Sequence, residues 1–246
     1  MSHNISIESG TSVKLKTAGK YCDRDIVVTA TGGSGGAGVT GEFVLCGEAT
    51  EVGAEAFKEY TSLTGVNLPN ATTIGEYAFN YCGNVKFIRL PVATSIGEYA
   101  FSSCSYLTSV EIPSVTNIPL GAFDSCLCLE SICLPAAISL ETDAFWGCES
   151  LKTVDLPSAT SIGTNSFYRC RKLSALILRT TETVCVCDLQ SFSYTPVVQG
   201  LGHIYIPTVM YEYYRAGYEA ALNAAMGTGA FDLLFRKIED YPEICG

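Results

Sequence analysis

The cysteines have the greatest capacity for chemistry in this chain, because a thiolate can act as a nucleophile, a metal ligand or a disulfide partner. The 246 residues include 12 cysteines. Five of them recur at steps of 22 residues: Cys82, Cys104, Cys126, Cys148 and Cys170. If the chain forms stacked coils, equivalent positions lie about 4.8 Å apart, and this spacing predicts an internal column of thiols. Free cysteine is among the most buried residue types, so we interpret the column as reduced and structural.

A catalytic or metal-binding role for the other cysteines requires partners that the sequence does not supply. A Cys–His pair needs a histidine beside a thiol, and of the two histidines only His203 is close in sequence to such thiols, Cys185 and Cys187. No residue in the sequence orients or activates this pair. The two Cys-x-Cys spacings are tighter than the usual zinc pattern, in which two to four residues separate the cysteines. Whether Cys185, Cys187 or Cys245 form disulfides stays open.

Paired carboxylates are the remaining source of chemistry. Glu111 and Asp155 stand two coils apart, about 10 Å in a stacked sheet, which is close to the separation in inverting glycosidases. The sequence predicts no cleft around them. It also lacks a glycine-rich phosphate loop, a His-Glu metal motif and a nucleophile elbow. We therefore expect a protein that is not an enzyme and that uses no metal and no cofactor.

The elements that position these residues repeat every 22 residues, and phenylalanines mark the repeat: Phe57, Phe79, Phe101, Phe123, Phe145 and Phe167. A Leu-Pro or Ile-Pro pair keeps the same step, ending at Pro69, Pro91, Pro113, Pro135 and Pro157. A strict period of roughly 20–29 residues with the order L-x-x-[VI]-x-[LI] is typical of leucine-rich repeats. The sequence predicts an α/β repeat solenoid with a parallel sheet.

One coil can be interpreted residue by residue. Leu107, Val110 and Ile112 are expected to point inward from a short strand, and Pro113 ends the strand because it has no N–H. A glycine follows an apolar residue later in most coils, as at Gly97, and it predicts a backbone position with positive φ. The other members of this series are Gly53, Gly75 and Gly163.

The residues on either side of each central inward position are expected to point outward, and they vary between coils. They include Gly65, Asn67, Ser131, Cys133 and Ala175. From this set we select seven candidate binding residues: Phe87, Arg89, Ser109, Glu111, Thr153, Asp155 and Ile177. Phe87 with Arg89 is the best candidate anchor, because aromatic residues and arginine are enriched at binding hot spots. The alternative for each residue is a side chain that is simply solvated.

Tyrosines suggest two further groups. Tyr77 and Tyr99, one coil apart, form a second candidate patch on another face of the solenoid. Tyr211, Tyr213 and Tyr218 are expected to pack a helix at the C-terminal end.

The unit I-G-x-x-A-F-x-x-C-x-x-L-x-x-[VI]-x-[LI]-P, as it stands in residues 96–113, resembles the BspA-like leucine-rich repeats of bacterial surface proteins. The resemblance covers roughly residues 40–178. It implies a curved solenoid, a right-handed coil with a parallel sheet on its concave face, a role in protein or glycan recognition and adhesion, and a cell-surface or extracellular location.

The chain outside the repeats divides into three segments. Residues 1–30 predict a small β module, whose segment 19–28 resembles modules at the front of some gut-bacterial and phage structural proteins, and which is expected to dock or to oligomerise. Residues 31–38 form a Gly/Ser-rich linker, and the repeats occupy 39–178. Residues 179–246 predict an irregular last coil and a helical cap, because an open solenoid end must be covered. A helix is expected from Thr208 to about Ala225, and a second one over 231–238.

Charge and hydropathy narrow the class of partner. The chain has 15 Lys+Arg against 25 Asp+Glu, a net charge of −10, which disfavours nucleic acid. The sequence has no run of about 18 apolar residues, so we do not expect membrane insertion. The N-terminus lacks the pattern of a signal peptide. A binding or adhesion protein with a protein or glycan ligand is the first interpretation. A phage or particle component, structural or receptor-binding, is the alternative, and an intracellular enzyme is a remote third, so a virion or cytoplasmic location stays open.

Overall fold

The structure is a computed structural model that describes residues 3–5, 26–28, 43–46, 49–226 and 228–238. Two short strands, His3–Ile5 and Ile26–Val28, pair in parallel. The predicted linker and Cys245 lie outside the described residues.

A parallel sheet on one side of the solenoid contains the longer strand of each coil. Neighbouring strands pair one repeat apart, as Ile88 with Val110 and Val154 with Leu176. We call this side the long-strand face, and the predicted solenoid with its parallel sheet is confirmed. Its strands are Phe43–Cys46, Leu63–Asn67, Phe87–Arg89, Ser109–Glu111, Ser131–Cys133, Thr153–Leu156, Ala175–Leu178, His203–Ile206 and Phe235–Lys237.

A second parallel side is built from two-residue strands. We call it the short-strand face, and we call the turns that lead from it to the next long strand the turn side. The short strands are Glu51–Val52, Thr73–Ile74, Ser95–Ile96, Asn117–Ile118, Ser139–Leu140, Ser161–Ile162 and Val186–Cys187.

The repeat phenylalanines form a continuous ring stack in the core. Their centroids lie 5.3–5.7 Å apart from Phe57 to Phe167, and Phe192 extends the stack by one more ring. Each stacked pair adds about 0.5–1.5 kcal/mol beyond the burial of its area. The regular spacing of one aromatic residue therefore holds successive coils in register.

The predicted cysteine column lies beside this stack. All five thiols are buried and free. Each donates a hydrogen bond to a phenylalanine carbonyl of a preceding coil, as Cys126 Sγ does to Phe101 at 3.3 Å and Cys148 Sγ to Phe123 at 3.1 Å. Burial raises the pKa of Cys82 to about 12. The prediction of an internal column of structural thiols is confirmed.

The predicted reason for the repeat glycines is wrong. Gly75 and Gly97 do not adopt positive φ, but a Cβ on either would lie 2.4 Å from the backbone N of a residue in the preceding coil, Ala54 or Glu76. Positive φ occurs two residues later, for example at Tyr99 with φ 52°. Glycine suits this position because the coils approach closely there, although Pro119 and Glu141 occupy it in two of the coils. Gly163 has the same role, with a Cβ 2.8 Å from backbone.

The long-strand face is divided into two sheets. A four-stranded sheet ends at Ser109–Glu111, and a five-stranded sheet begins at Ser131–Cys133. The coils stay bonded on the turn side, where Phe123 N donates to Ala144 O at 2.9 Å. The division is therefore a local opening of one face.

The short-strand face is divided one coil earlier, between Ser95–Ile96 and Asn117–Ile118. Pro119 follows this break. In other coils the N–H at this position bonds to the preceding coil, as Gly75 N does to Val52 O and Gly163 N to Leu140 O, both at 2.8 Å. Proline has no N–H to donate, which weakens the ladder at this coil.

The C-terminal region contains short helices and the last strand. The helices are the 3-10 turns Leu189–Phe192, Val197–Gln199 and Thr208–Met210, then the α-helices Tyr211–Met226 and Ala230–Leu234. The first predicted cap helix is present from Tyr211. The second ends early, and Phe235–Lys237 instead pairs with His203–Ile206 as a strand that covers the sheet edge.

Tyrosines attach the long helix to the last coil. The hydroxyl of Tyr214 accepts a hydrogen bond from Cys185 N at 2.8 Å, and that of Tyr218 accepts one from Cys187 N at 2.7 Å. Tyr213 is 65 % exposed and borders an open groove with Val184 and Val209, so the expectation that it packs the cap is wrong. Among the described helices, none combines the length and apolarity needed to cross a membrane.

Candidate functional site

The opening between the two sheets of the long-strand face creates a cleft of about 220 Å³. Val110 at this position is only partly buried, whereas Ile88 and Val154 in nearby coils are buried. The cleft is lined by Thr108, Ser109, Val110, Ser131, Ile132, Cys133, Thr153 and Asp155. Hydroxyls dominate its polar lining, and a hydroxyl can both donate and accept a hydrogen bond.

Three of the seven candidate binding residues, Ser109, Thr153 and Asp155, meet at this cleft. Ser109 is exposed and Thr153 is partly buried. Their register partners across the sheet are Phe87 and Ser131, respectively. Alternation along each strand selected these residues, but it did not predict the opening that brings them together.

Three other candidates lie on the four-stranded sheet. Arg89 Nε and Glu111 Oε2 form an ion pair at 2.9 Å, with side chains 59 % and 49 % exposed. The ring of Phe87 is partly buried and lies over Gly65, where an added Cβ would approach it to 2.3 Å. Phe87 therefore packs on its own sheet beside an exposed charged pair.

The expected exposure is wrong for Asp155 and Ile177. Asp155 is 1 % exposed and Ile177 is fully buried. Arg179 holds the Asp155 carboxylate through Nε at 3.2 Å and Nη2 at 2.9 Å. Ile177 has Asp155 and Tyr205 as its register partners on the two sides, so its neighbours in the sheet cover it.

Sequence reasoning missed Arg179 and Thr108. Arg179 stands one repeat after Pro157, at the position where five earlier coils have proline. This replacement was a usable signal, because a charged residue at a regular apolar step of the repeat needs a partner. Thr108 precedes its strand and contacts the cleft only because the sheet opens there.

The second candidate patch is a stacked tyrosine pair. The rings of Tyr77 and Tyr99 lie 5.1 Å apart with planes 7° from parallel, and Lys58 Nζ lies 5.2 Å from the Tyr77 centroid. A Cβ on Gly121 would come within 2.3 Å of the Tyr99 ring. Burial raises the pKa of Asp124 nearby. Both tyrosines are partly buried, and the patch is chiefly a packed ladder.

The remaining residues that were considered for catalysis or metal binding make ordinary structural contacts. His203 Nδ1 lies 2.9 Å from the carbonyl oxygen of Leu233, and the thiols of Cys185 and Cys187 lie 3.8 Å apart, both buried. Glu111 and Asp155 are each held by an arginine. In the described part of the chain, no group of three or more His, Cys, Asp or Glu could hold a metal ion.

The chain is similar to solved structures of proteins from several bacteria. The pneumococcal vaccine antigen PcpA aligns with a TM-score of 0.53 and 15 % identity over 68 % of this chain and 42 % of its own. A leucine rich cell surface protein from Faecalibacterium prausnitzii gives a TM-score of 0.47 and 22 % identity, over 57 % of this chain and 48 % of its own. The T. pallidum leucine rich repeat protein gives a TM-score of 0.41 and 25 % identity, over 56 % of this chain and 59 % of its own. The chain thus spans between 42 % and 59 % of the length of these proteins.

No curated protein matches the chain. The family model for the BspA type leucine rich repeat region does match, in six copies, over residues 50–174 and 116–198. These segments contain the phenylalanine stack, the cysteine column and the opening of the long-strand face. The chain therefore belongs to the BspA type leucine rich repeat family.

Proposed function

We propose that this protein is a non-enzymatic binding protein that recognises a protein partner through the long-strand face, with the cleft at the centre of the contact. The observation that carries the proposal is the opening between Ser109–Glu111 and Ser131–Cys133. It places a polar depression in an otherwise continuous sheet. Repeat families commonly bind through such extended faces.

The size of the cleft favours a protein partner over a free small molecule. Its volume of about 220 Å³ is below the roughly 300–1,000 Å³ of typical small-molecule sites. A single inserted side chain fits such a depression, and central pockets filled by one anchor carry much of the energy of protein interfaces. The hydroxyls of Ser109, Ser131 and Thr153 would hydrogen-bond to that side chain.

Arg89 and Glu111 would lie at the rim of this contact. Their exposed ion pair contributes little stability on its own. Charges at an interface rim act mainly on association rate and on choice of partner. A partner that rearranges this pair would gain specificity rather than a large increase in affinity.

The test uses substitutions that fill the cleft without touching the core. Ser131 is exposed at the cleft, and Ser131→Trp should occlude it. Ser114→Trp is the matched control, because Ser114 is exposed in a turn outside the cleft. Partners are found on an array of secreted and cell-surface proteins, and affinities are then measured by biolayer interferometry.

We expect Ser131→Trp to weaken binding by about tenfold or more, as loss of an anchor pocket does, and Ser114→Trp to leave it unchanged. Arg89→Glu and Phe87→Ala should also weaken it. Equal affinities for wild type and all three long-strand variants would place the contact elsewhere. Binding only to glycans, and binding that Ser131→Trp abolishes, would replace the protein partner at this face by a glycan.

Family membership also supports a cell-surface or extracellular location, which we include in the proposal. Immunogold labelling of intact source cells and of the particles they release, with antibody against residues 39–246, tests it. Gold on the cell envelope is expected. Gold only on particles would favour a particle component, and label confined to the cytoplasm would contradict both.

A further inference from the structure

The turn side of the last coils carries a group of aromatic rings that the long-strand face does not use. The rings of Trp146 and Tyr168 are stacked, with centroids 6.1 Å apart and planes 8° from parallel. Tyr194 meets Tyr168 edge to face at 5.2 Å and 75°. Tyr194 is 62 % exposed, and the other two are partly buried. We call Trp146, Tyr168 and Tyr194 the aromatic corner.

Arg169 lies beside the aromatic corner. Its guanidinium carbon is 5.5 Å from the Trp146 centroid and 5.6 Å from that of Tyr168. Cation–π contacts with two rings restrict the side chain. Within the described ranges no carboxylate pairs with Arg169, whereas the next arginine, Arg171, pairs with Glu149 at 3.3 Å. Arg169 therefore presents an oriented guanidinium that still has donors to offer.

The local charge contrasts with that of the whole protein. Arg169, Arg171 and Lys172 fall within one short segment, in a chain with only 15 Lys+Arg and a net charge of −10. All three residues are exposed, but Arg171 pairs with Glu149 and Lys172 lies in the field of Glu130. Among the described residues, Arg169 is thus the member of this segment that has no carboxylate partner. An unpaired guanidinium on an acidic protein attracts an anionic ligand to its own position, while the remaining surface repels that ligand.

Both features together identify the ligand chemistry. A guanidinium fork matches the planar carboxylate in a bidentate pair. Aromatic rings supply apolar contact area for the C–H face of a pyranose ring. A long phosphate backbone would also meet basic and aromatic groups here, but the net charge of −10 opposes it. We propose that the aromatic corner and Arg169 bind a carboxylate-bearing sugar unit within an acidic glycan.

This site is separate from the long-strand face. The aromatic corner follows the short strands, and none of its residues lines the cleft. Failure of one proposal therefore leaves the other unaffected, because their variants lie on different sides of the solenoid.

The sole tryptophan of the chain is Trp146, so intrinsic fluorescence reports directly on this site. The full chain is titrated with tetragalacturonate and with 3′-sialyllactose, to distinguish a uronate from a sialate. Maltotetraose and lactose are the uncharged counterparts. Polyglutamate and a single-stranded DNA oligonucleotide test an acidic peptide and a nucleic acid.

We expect a saturable change in Trp146 fluorescence with a carboxylated sugar and none with its uncharged counterpart. Arg169→Gln should weaken binding by roughly tenfold or more, because the bidentate pair is lost, and Tyr194→Ala should weaken it by a similar factor. The matched control Arg171→Gln should change affinity by less than about twofold, since Arg171 already pairs with Glu149. Calorimetry on the wild-type chain checks that the optical signal measures binding.

An equal response to charged and uncharged sugars would overturn the proposal. So would carboxylated-sugar binding that survives Arg169→Gln, or no binding of either carboxylated sugar. Binding of polyglutamate or DNA alone would assign the patch to another class of macromolecule.

Discussion

The two sheets of the long-strand face differ in how far they bury a carboxylate at the same position of the repeat. In the four-stranded sheet, Glu111 pairs with Arg89 and both side chains are about half exposed. In the five-stranded sheet, Asp155 lies two coils further on at the same register and is 2 % exposed at its side chain, held by Arg179. Exposed pairs contribute about 0–1 kcal/mol. Loss of one partner from a buried pair costs much more. The same position of the repeat is therefore surface in one sheet and interior in the other.

Thiol reactivity gives the sharpest test of the boundary between the sheets. Cys133 lines the cleft and is partly exposed, while Cys126 and Cys148 are fully buried. Burial also raises the pKa of Cys126 well above its usual range, which suppresses the reactive thiolate. In the native protein at pH 8, iodoacetamide should modify Cys133 roughly 100-fold faster than Cys126.

The measurement is the time course of modification at each cysteine, from mass spectrometry of peptides. The same reaction in urea is the control and should equalise the rates. Protection of Cys133 equal to that of Cys126 would show that the cleft is closed in solution.

Asp155→Ala tests the buried pair. The substitution leaves the Arg179 guanidinium without its carboxylate. Removing one partner of a buried pair typically costs about 3–5 kcal/mol. Because the Arg179 side chain is 35 % exposed and regains some hydration, we expect a loss of about 2–3 kcal/mol. Urea unfolding followed by circular dichroism measures it.

Asp155→Asn is the companion variant, because it keeps the shape and one acceptor oxygen while removing the charge. It should fall between wild type and Asp155→Ala. A loss below about 1 kcal/mol for Asp155→Ala would mean that this pair behaves like a surface pair.

Glu111→Ala should have the smallest effect of these substitutions on the free energy of unfolding. Arg89 remains hydrated when its partner is removed, so the expected loss of stability is at most about 1 kcal/mol. High salt should reduce the difference further by screening, which urea unfolding at two salt concentrations would measure. A loss equal to that of Asp155→Ala would remove the distinction between the two sheets.

Repetition made most of the fold predictable. A side chain that recurs once in every repeat meets its own copy in the next coil, so Phe101 and Cys104 each specify a column without knowledge of the rest of the chain. Prediction weakened where the repeat ends. The segment after Leu234 has helical spacing of apolar residues, yet it forms a strand because the open edge at His203–Ile206 offers unpaired backbone groups.

The candidate site was only partly predictable. Alternation identified which residues leave the core, because strand side chains alternate strictly between the two faces. It could not say what then covers them. Asp155 and Ile177 were selected by the same rule as Arg89, and they are buried by residues that belong to other coils.

The sequence by itself determined the coil length, the inward positions, the buried thiols and the family. Each of these is a local property of one repeat, and it recurs in so many repeats that it cannot be due to chance. Tertiary structure alone decided where the long-strand face opens, which outward residues meet at the cleft, and that the repeat glycines serve close approach rather than positive φ. These depend on distances between coils, and such distances are set by the packing of all coils together.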